Sequence, residues 1–207
     1  MNGLPTETDE DIVGIARLGQ EIVDCYYRNP DKPKGKSVSV SVSVSCFVPK
    51  PFTPFQWEPQ DTVEELARKQ RLLRDSLTTR KISLSWHDAN VSFLEAVLAR
   101  GDRRLGRVLE EVWRQGGHLD AWTEHLSLDR WREAFAACGL DPAFYANRRR
   151  AFDEVLPWDH LDFGVSKTFL IQENRKAHER VTTPNCRETC SACGAACFKG
   201  GICVERR

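Results

Sequence analysis

No run of apolar residues in this sequence approaches the roughly 20 that a membrane-spanning helix needs. The opening stretch, MNGLPTETDED, has neither the basic nor the apolar region of a secretory leader. Both absences point to a cytoplasmic protein. An excess of one charge is missing too: 30 Lys and Arg are balanced by 30 Asp and Glu over 207 residues. Overall electrostatics therefore recommends no partner, and a nucleic acid would need a local patch. No fixed-period repeat emerges along the sequence. With 41% hydrophobic and 29% charged residues, the chain can bury a sizeable core in one domain or two small ones.

A turn at Gly3-Leu4-Pro5-Thr6-Glu7-Thr8 precedes residues 9–28, where Ile12, Val13, Ile15, Ala16, Ile22 and Val23 recur at helical spacing. Thr6 or Thr8 can cap that helix, and Asp9, Glu10 and Asp11 favour the positive end of its dipole. Over 37–46 the pattern changes period: Val38, Val40, Val42, Val44 and Cys46 alternate with five serines. One face of this strand is apolar and the other carries hydroxyls, which must meet solvent, a polar cavity or a bound ligand. Only one full strand is evident, and a parallel sheet needs neighbours on its edges, so the N-terminal part reads as the end of a barrel or doubly wound sheet.

Residues 47–59 hold four prolines and four aromatics, which excludes helix and marks a boundary. Thr62-Val63-Glu64-Glu65 is a capping box for a helix to about Leu77, and 81–86 is a short strand. Helices are then expected over 90–99, 102–115, 127–138, 142–154 and, capped by Ser166, 167–180.

Of eight cysteines, Cys25, Cys46 and Cys138 are scattered and read as small buried hydrophobes, whereas Cys186, Cys190, Cys193, Cys197 and Cys203 crowd the C-terminus. Their spacing, C-x3-C-x2-C-x3-C-x5-C, lets thiolates wrap one soft cation, either zinc as a structural staple or an iron-sulfur cluster. A disulfide framework fits less well, because five thiols leave one unpaired. The triplet has the spacing that leaves one iron of a cluster open to S-adenosylmethionine, but no barrel can follow it in the sequence, so an accessory role is expected.

Two further groups carry candidate chemistry. His87-Asp88 and Asp159-His160-Leu161-Asp162 pair imidazole with carboxylate, but polar residues in such loops more often cap helices or bond backbone. Arg103, Arg104, Arg107 and the run Arg148-Arg149-Arg150 could meet phosphates, with Trp122 and Tyr145 to stack on bases. A solvated helix face with paired charges is the simpler account.

The stretch from Gly3 to Asp11, followed by a helix, a strand and Phe47-Val48-Pro49-Lys50-Pro51-Phe52-Thr53-Pro54-Phe55-Gln56-Trp57, resembles the last part of a radical S-adenosylmethionine barrel. The stretches 92–96, 100–106 and 156–159 and the segment Thr182-Thr183-Pro184-Asn185-Cys186-Arg187 are similar to the C-terminal region of cobalamin-binding radical enzymes. The resemblance implies that Gly3, Pro5 and Glu7 line the S-adenosylmethionine pocket and that the serines line the barrel interior while the valines face helices. In that family a reduced [4Fe-4S] cluster near the barrel's start cleaves S-adenosylmethionine; neither its cysteine triplet nor the cobalamin-binding domain lies in this sequence.

The expected fold class is an α/β fragment, the last β/α units of a radical-SAM-type partial barrel in residues 1–58. A mainly helical extension over 59–180 and a metal-binding tail over 181–207 follow. The expected function is that of the C-terminal part of a radical S-adenosylmethionine enzyme, inactive alone, partnered by the missing barrel strands and cobalamin-binding domain. The rival expectation is a stand-alone, zinc-stapled helical module that binds protein or RNA.

Overall fold

The computed structural model describes residues 1–195. Its elements run α1 (Asp9–Arg28), β1 (Val40–Val44), α2 (Val63–Asp75), β2 (Ile82–Trp86), α3 (Ala89–Arg100), α4 (Leu105–Arg114), α5 (Leu128–Ala137), α6 (Pro142–Ala146) and α7 (Lys167–His178). They form two compact units, Met1–Val48 with Gln60–Phe93, and Pro49–Pro59 with the described part of Leu94–Arg207. Residue 58, the expected boundary, lies in the Pro49–Pro59 segment of the second unit. β2 lies in the first unit through its pairing with β1.

In the first unit Thr8 closes a capping box on α1. Its hydroxyl accepts from the Asp11 N–H at 3.3 Å, and the Asp11 carboxylate accepts from the Thr8 N–H at 2.8 Å. The buried stripe of α1 is Ile12, Ala16, Gly19 and Val23. Gly19 lets the helix seat closely on the sheet, since a Cβ there would stand 3.2 Å from Ile82 Cδ1. Ile12, Ala16, Val44 and Leu73 make the main core, with Val42, Leu72, Leu77 and Leu84 packed against it. Burying each side chain of the size of Ile12 or Leu73 is worth about 2 kcal/mol.

β1 and β2 run parallel, from Val40 opposite Ile82 to Val44 opposite Trp86, and α2 supplies the crossover. A further parallel bridge joins Asn2 to Cys46: the Asn2 N–H donates to Ser45 O at 2.9 Å, and its carbonyl accepts from the Phe47 N–H at 2.7 Å. Val40 and Val44 turn their backbone groups toward β2, and Ser45 and Phe47 turn theirs toward Asn2. Asn2 therefore lies on the edge of β1 opposite β2, and spatial order follows chain order. β1 and β2 fall in the strands expected over 37–46 and 81–86, and the Asn2 bridge adds a third segment that the sequence reading did not include.

Val42 and Val44 pack beneath α1 and α2, as the alternation implies. Ser41, Ser43, Ser83 and Ser85 are exposed on the other face, where the Ser83 hydroxyl donates to Ser41 Oγ at 3.2 Å. Among the described residues, nothing pairs with the backbone groups of Ser41 and Ser43 that point away from β2.

In the second unit Trp57, Leu156, Trp158 and Leu170 form the core, and Phe152 meets Trp57 edge to face at 5.0 Å. The buried Gln56 carbonyl oxygen accepts from Trp158 Nε1 at 2.7 Å and from the Phe52 N–H at 3.0 Å. α4 and α5 pack together and bury Val108, Val112, Trp131, Ala134 and Phe135. The helix expected over 142–154 ends at Ala146, because the Arg150 N–H is donated instead to Trp57 O at 2.8 Å.

Candidate functional site

Asn2, Cys46 and Trp86 lie at the carboxyl ends of three parallel segments, the end at which parallel α/β sheets carry their ligand sites. The loop after Asn2 is closed from within. Glu7 Oε2 accepts from the Gly3 N–H at 2.6 Å and meets Lys69 Nζ at 3.2 Å, and Lys69 donates to Asp61 Oδ2 at 2.7 Å. Gly3 stands at φ +85°, and a Cβ there would come within 2.9 Å of Leu66 Cδ2, so glycine is required twice over.

Lys69 and Glu7 have side chains only 7% and 5% exposed. Burial works against the ammonium of Lys69, but Asp61 and Glu7 outweigh it and hold Lys69 above its usual range. Cys46 is buried and accepts from Gln70 Nε2 at 3.5 Å; burial pushes its thiol up, which keeps it protonated near neutrality. Gln70 also donates to His87 O at 3.0 Å. The Glu7 carboxylate is committed to a lysine and a backbone N–H, and a protonated buried thiol is a poor nucleophile. Open capacity rests with Asn2, which is 1% exposed and whose side-chain nitrogen and oxygen make no hydrogen bond.

Gly3, Pro5 and Glu7, expected around a cofactor, share this loop, with Gly3 and Glu7 bonded to each other and Pro5 half-buried. Asn2, Asp61 and Lys69 were not singled out from sequence. The signal for Lys69 was present: Leu66, Lys69, Gln70 and Leu73 follow the spacing of one buried helix face, and a lysine on such a stripe needs a buried partner.

Of the tail cysteines, Cys186 and Cys190 are exposed and Cys193 is half-buried, while Cys197 and Cys203 lie outside the described residues. The tail is anchored where Cys193 O accepts from the Ser166 N–H at 2.8 Å; next to it Gly194, at φ +98°, has a Cβ position 2.5 Å from Gly164 O. Among the described residues no three His, Cys, Asp or Glu side chains are grouped to hold a metal.

The carboxylates of the His/Asp loops serve the backbone. Asp88 accepts from the Asn90 and Val91 N–H groups, Asp159 from that of Leu156, and Asp162 from that of Gly164. The arginine run is neither a helix face nor a uniform basic patch: Arg148 pairs with Glu154 at 2.5 Å, Arg149 with Glu58 at 3.1 Å, and Arg150 is buried. Cys25 is exposed rather than buried. Among the described residues no helix is long and apolar enough to cross a membrane.

No protein-family model matches this chain, and no solved structure matches it. It is similar to Uncharacterized protein MJ0966 of Methanocaldococcus jannaschii, at 27% identity over 140 residues, which cover 68% of this chain and 29% of that protein. The chain thus spans less than a third of the length of the curated relative it matches.

Proposed function

We propose that this chain is the C-terminal part of a cytoplasmic radical S-adenosylmethionine iron-sulfur enzyme, supplying the last strands of its barrel and an accessory thiolate metal site. The observation that carries the reading is the sheet. Its segments are wound in chain order, both helices lie on one face, and the other face is a row of exposed seryl hydroxyls. A doubly wound sheet would cover that face with helices and make it apolar, whereas a barrel that holds a polar ligand makes it polar. The unpaired backbone groups of Ser41 and Ser43 support the same reading, since they offer an edge to a further strand.

The buried Asn2 amide suits a polar cofactor here, because it offers one donor and one acceptor beside Gly3. S-adenosylmethionine would supply the reactive group; Asn2 would orient it, while the Glu7–Lys69–Asp61 set holds the loop that presents Asn2. No described residue is assigned to cobalamin, which belongs to the missing partner domain in this reading. The described thiols are not grouped, so no step is derived through a tail cluster.

The test is iron and acid-labile sulfide analysis of protein purified without oxygen, with Cys190→Ser and Cys193→Ser alongside. Iron and sulfide with broad visible absorption, lost in both variants, is the expected result. One zinc per chain without colour would overturn the iron-sulfur assignment of the tail and favour a zinc-stapled module.

A further inference from the structure

In the second unit the proline- and aromatic-rich loop walls a pocket. Phe52 holds φ +57°, a backbone conformation that a bulky residue rarely adopts. Two contacts hold it: the Phe52 N–H donates to the Gln56 carbonyl oxygen at 3.0 Å, and its ring packs on Phe163 at 4.4 Å. Strain of this kind persists where the surroundings over-determine it, and such places cluster at ligand sites. The pocket beside it measures about 430 Å³, within the range of small-molecule sites. Phe52, Leu161, Val165 and Leu170 make its apolar wall.

Gln56 also lines this pocket, although it is only 3% exposed. Its amide is oriented by its oxygen, which accepts from Trp158 Nε1 and the Phe52 N–H. The nitrogen at the other end, Nε2, donates to no described residue, yet it is not among the sealed unpaired atoms of the molecule. Nε2 is therefore the part of Gln56 that meets the open space, a donor without a protein partner. A molecule that displaces water from it must offer an acceptor or leave the donor unpaired at a cost.

Three charged side chains line the same pocket, Asp159, Asp162 and Lys167. Lys167 Nζ meets Asp159 Oδ2 at 3.2 Å and donates to Glu154 O at 3.2 Å, so that pair is matched within the protein. Asp162 Oδ1 accepts from the Gly164 N–H at 2.7 Å, and no described cation meets its carboxylate. The surplus is one negative charge, which repels an anion and draws a cation. The pocket thus offers one neutral donor on a buried residue, one acidic acceptor on an exposed residue, and an apolar wall.

We propose that this pocket binds a small organic amine whose apolar body carries a carbonyl group, the chemistry of an apolar amino-acid amide. The carbonyl accepts from Gln56 Nε2, the ammonium meets Asp162, and the apolar body lies against Phe52, Leu161 and Val165. All of these residues belong to the second unit, so the site does not rest on the barrel reading.

The test is an NMR titration of the full chain at about pH 6, where an α-amine is protonated, following the assigned Gln56 side-chain amide. The probes are phenylalaninamide, phenethylamine, which lacks the carbonyl, and 3-phenylpropanamide, which lacks the amine. The expected result is a saturable shift of the Gln56 amide by phenylalaninamide, with each partial probe binding about three- to tenfold more weakly, as loss of one hydrogen bond would give. Asp162→Asn keeps an oxygen for the Gly164 N–H and should weaken the two amines by a similar factor while leaving 3-phenylpropanamide unchanged. A Gln56 amide that does not respond, as one bonded only to water would not, or partial probes that bind as tightly as phenylalaninamide, would overturn the proposal. So would an Asp162→Asn variant that weakens all three probes alike or none; should that variant fail to fold, the three probes on the wild-type chain decide.

Discussion

The two units bury cations in opposite ways. In the first, Lys69 lies between Glu7 and Asp61, so its charge is matched inside the protein and the ion pairs lock the loop after Asn2. In the second, Arg100 and Arg150 meet only carbonyls and a ring, and three of their donors have no partner. A matched buried charge is a structural element. An unmatched one leaves buried donors unpaired, at a cost in stability.

The sharpest way to break this comparison is to remove the matched cation. Lys69→Met leaves Glu7 without its ion partner in a buried site and should destabilise the chain by about 3 kcal/mol, read from the midpoint of urea unfolding. In Arg150→Met an unmatched charge is removed instead, so the loss should be smaller, about 1 kcal/mol. Equal losses in the two variants would erase the distinction.

Gly3→Ala comes next. The positive φ and the contact with Leu66 should together cost about 2 kcal/mol, checked by the same unfolding curve. Thr62→Ala removes the hydroxyl that accepts from the Glu65 N–H at 3.2 Å and should cost about 1 kcal/mol.

A pH titration of stability sharpens the comparison from the acid side. Hydrogen bonds from Arg148 hold Glu154 below the usual carboxylate range, and those from Arg104 do the same for Asp102. A carboxylate whose folded value lies below its unfolded one stabilises the fold fully above the unfolded value. Stability should therefore be lost as pH falls below about 4. Lys69, held high, acts in the opposite sense, and its contribution should fade as pH rises past about 10.5. The smallest effect is expected on the bare sheet face: Ser41→Ala should change stability by less than about 0.5 kcal/mol, because the hydroxyl meets solvent and one other serine.

Where one periodicity decided an element, it was legible in the sequence. The start of α1 is marked by the Thr6/Thr8 pair and the acidic first turn, with Thr8 as the cap, and the alternation of valine and serine separates an apolar from a hydroxyl face of β1. The helix expected through Glu154 was not legible, because its early end depends on a bond from Arg150 to Trp57, 93 positions away. The Asn2 bridge escaped notice for a similar reason: one residue carries no periodicity. Lys69 and Arg100 were readable in principle, since each falls on a buried helix face, but a charged residue at an apolar position is easily taken for the edge of the stripe.

The central claim is that the polar face and open edge of the sheet are completed by further strands around a cofactor. It is tested most directly by reading the DNA before Met1 for a frame encoding C-x3-C-x2-C, co-expressing that product with this chain, and measuring S-adenosylmethionine binding to the wild-type assembly and to Asn2→Ala. The account predicts an assembly that binds S-adenosylmethionine, with affinity reduced about tenfold by Asn2→Ala, as loss of a buried hydrogen bond would do. No such reading frame, or an assembly that binds S-adenosylmethionine equally well without the Asn2 amide, would contradict it.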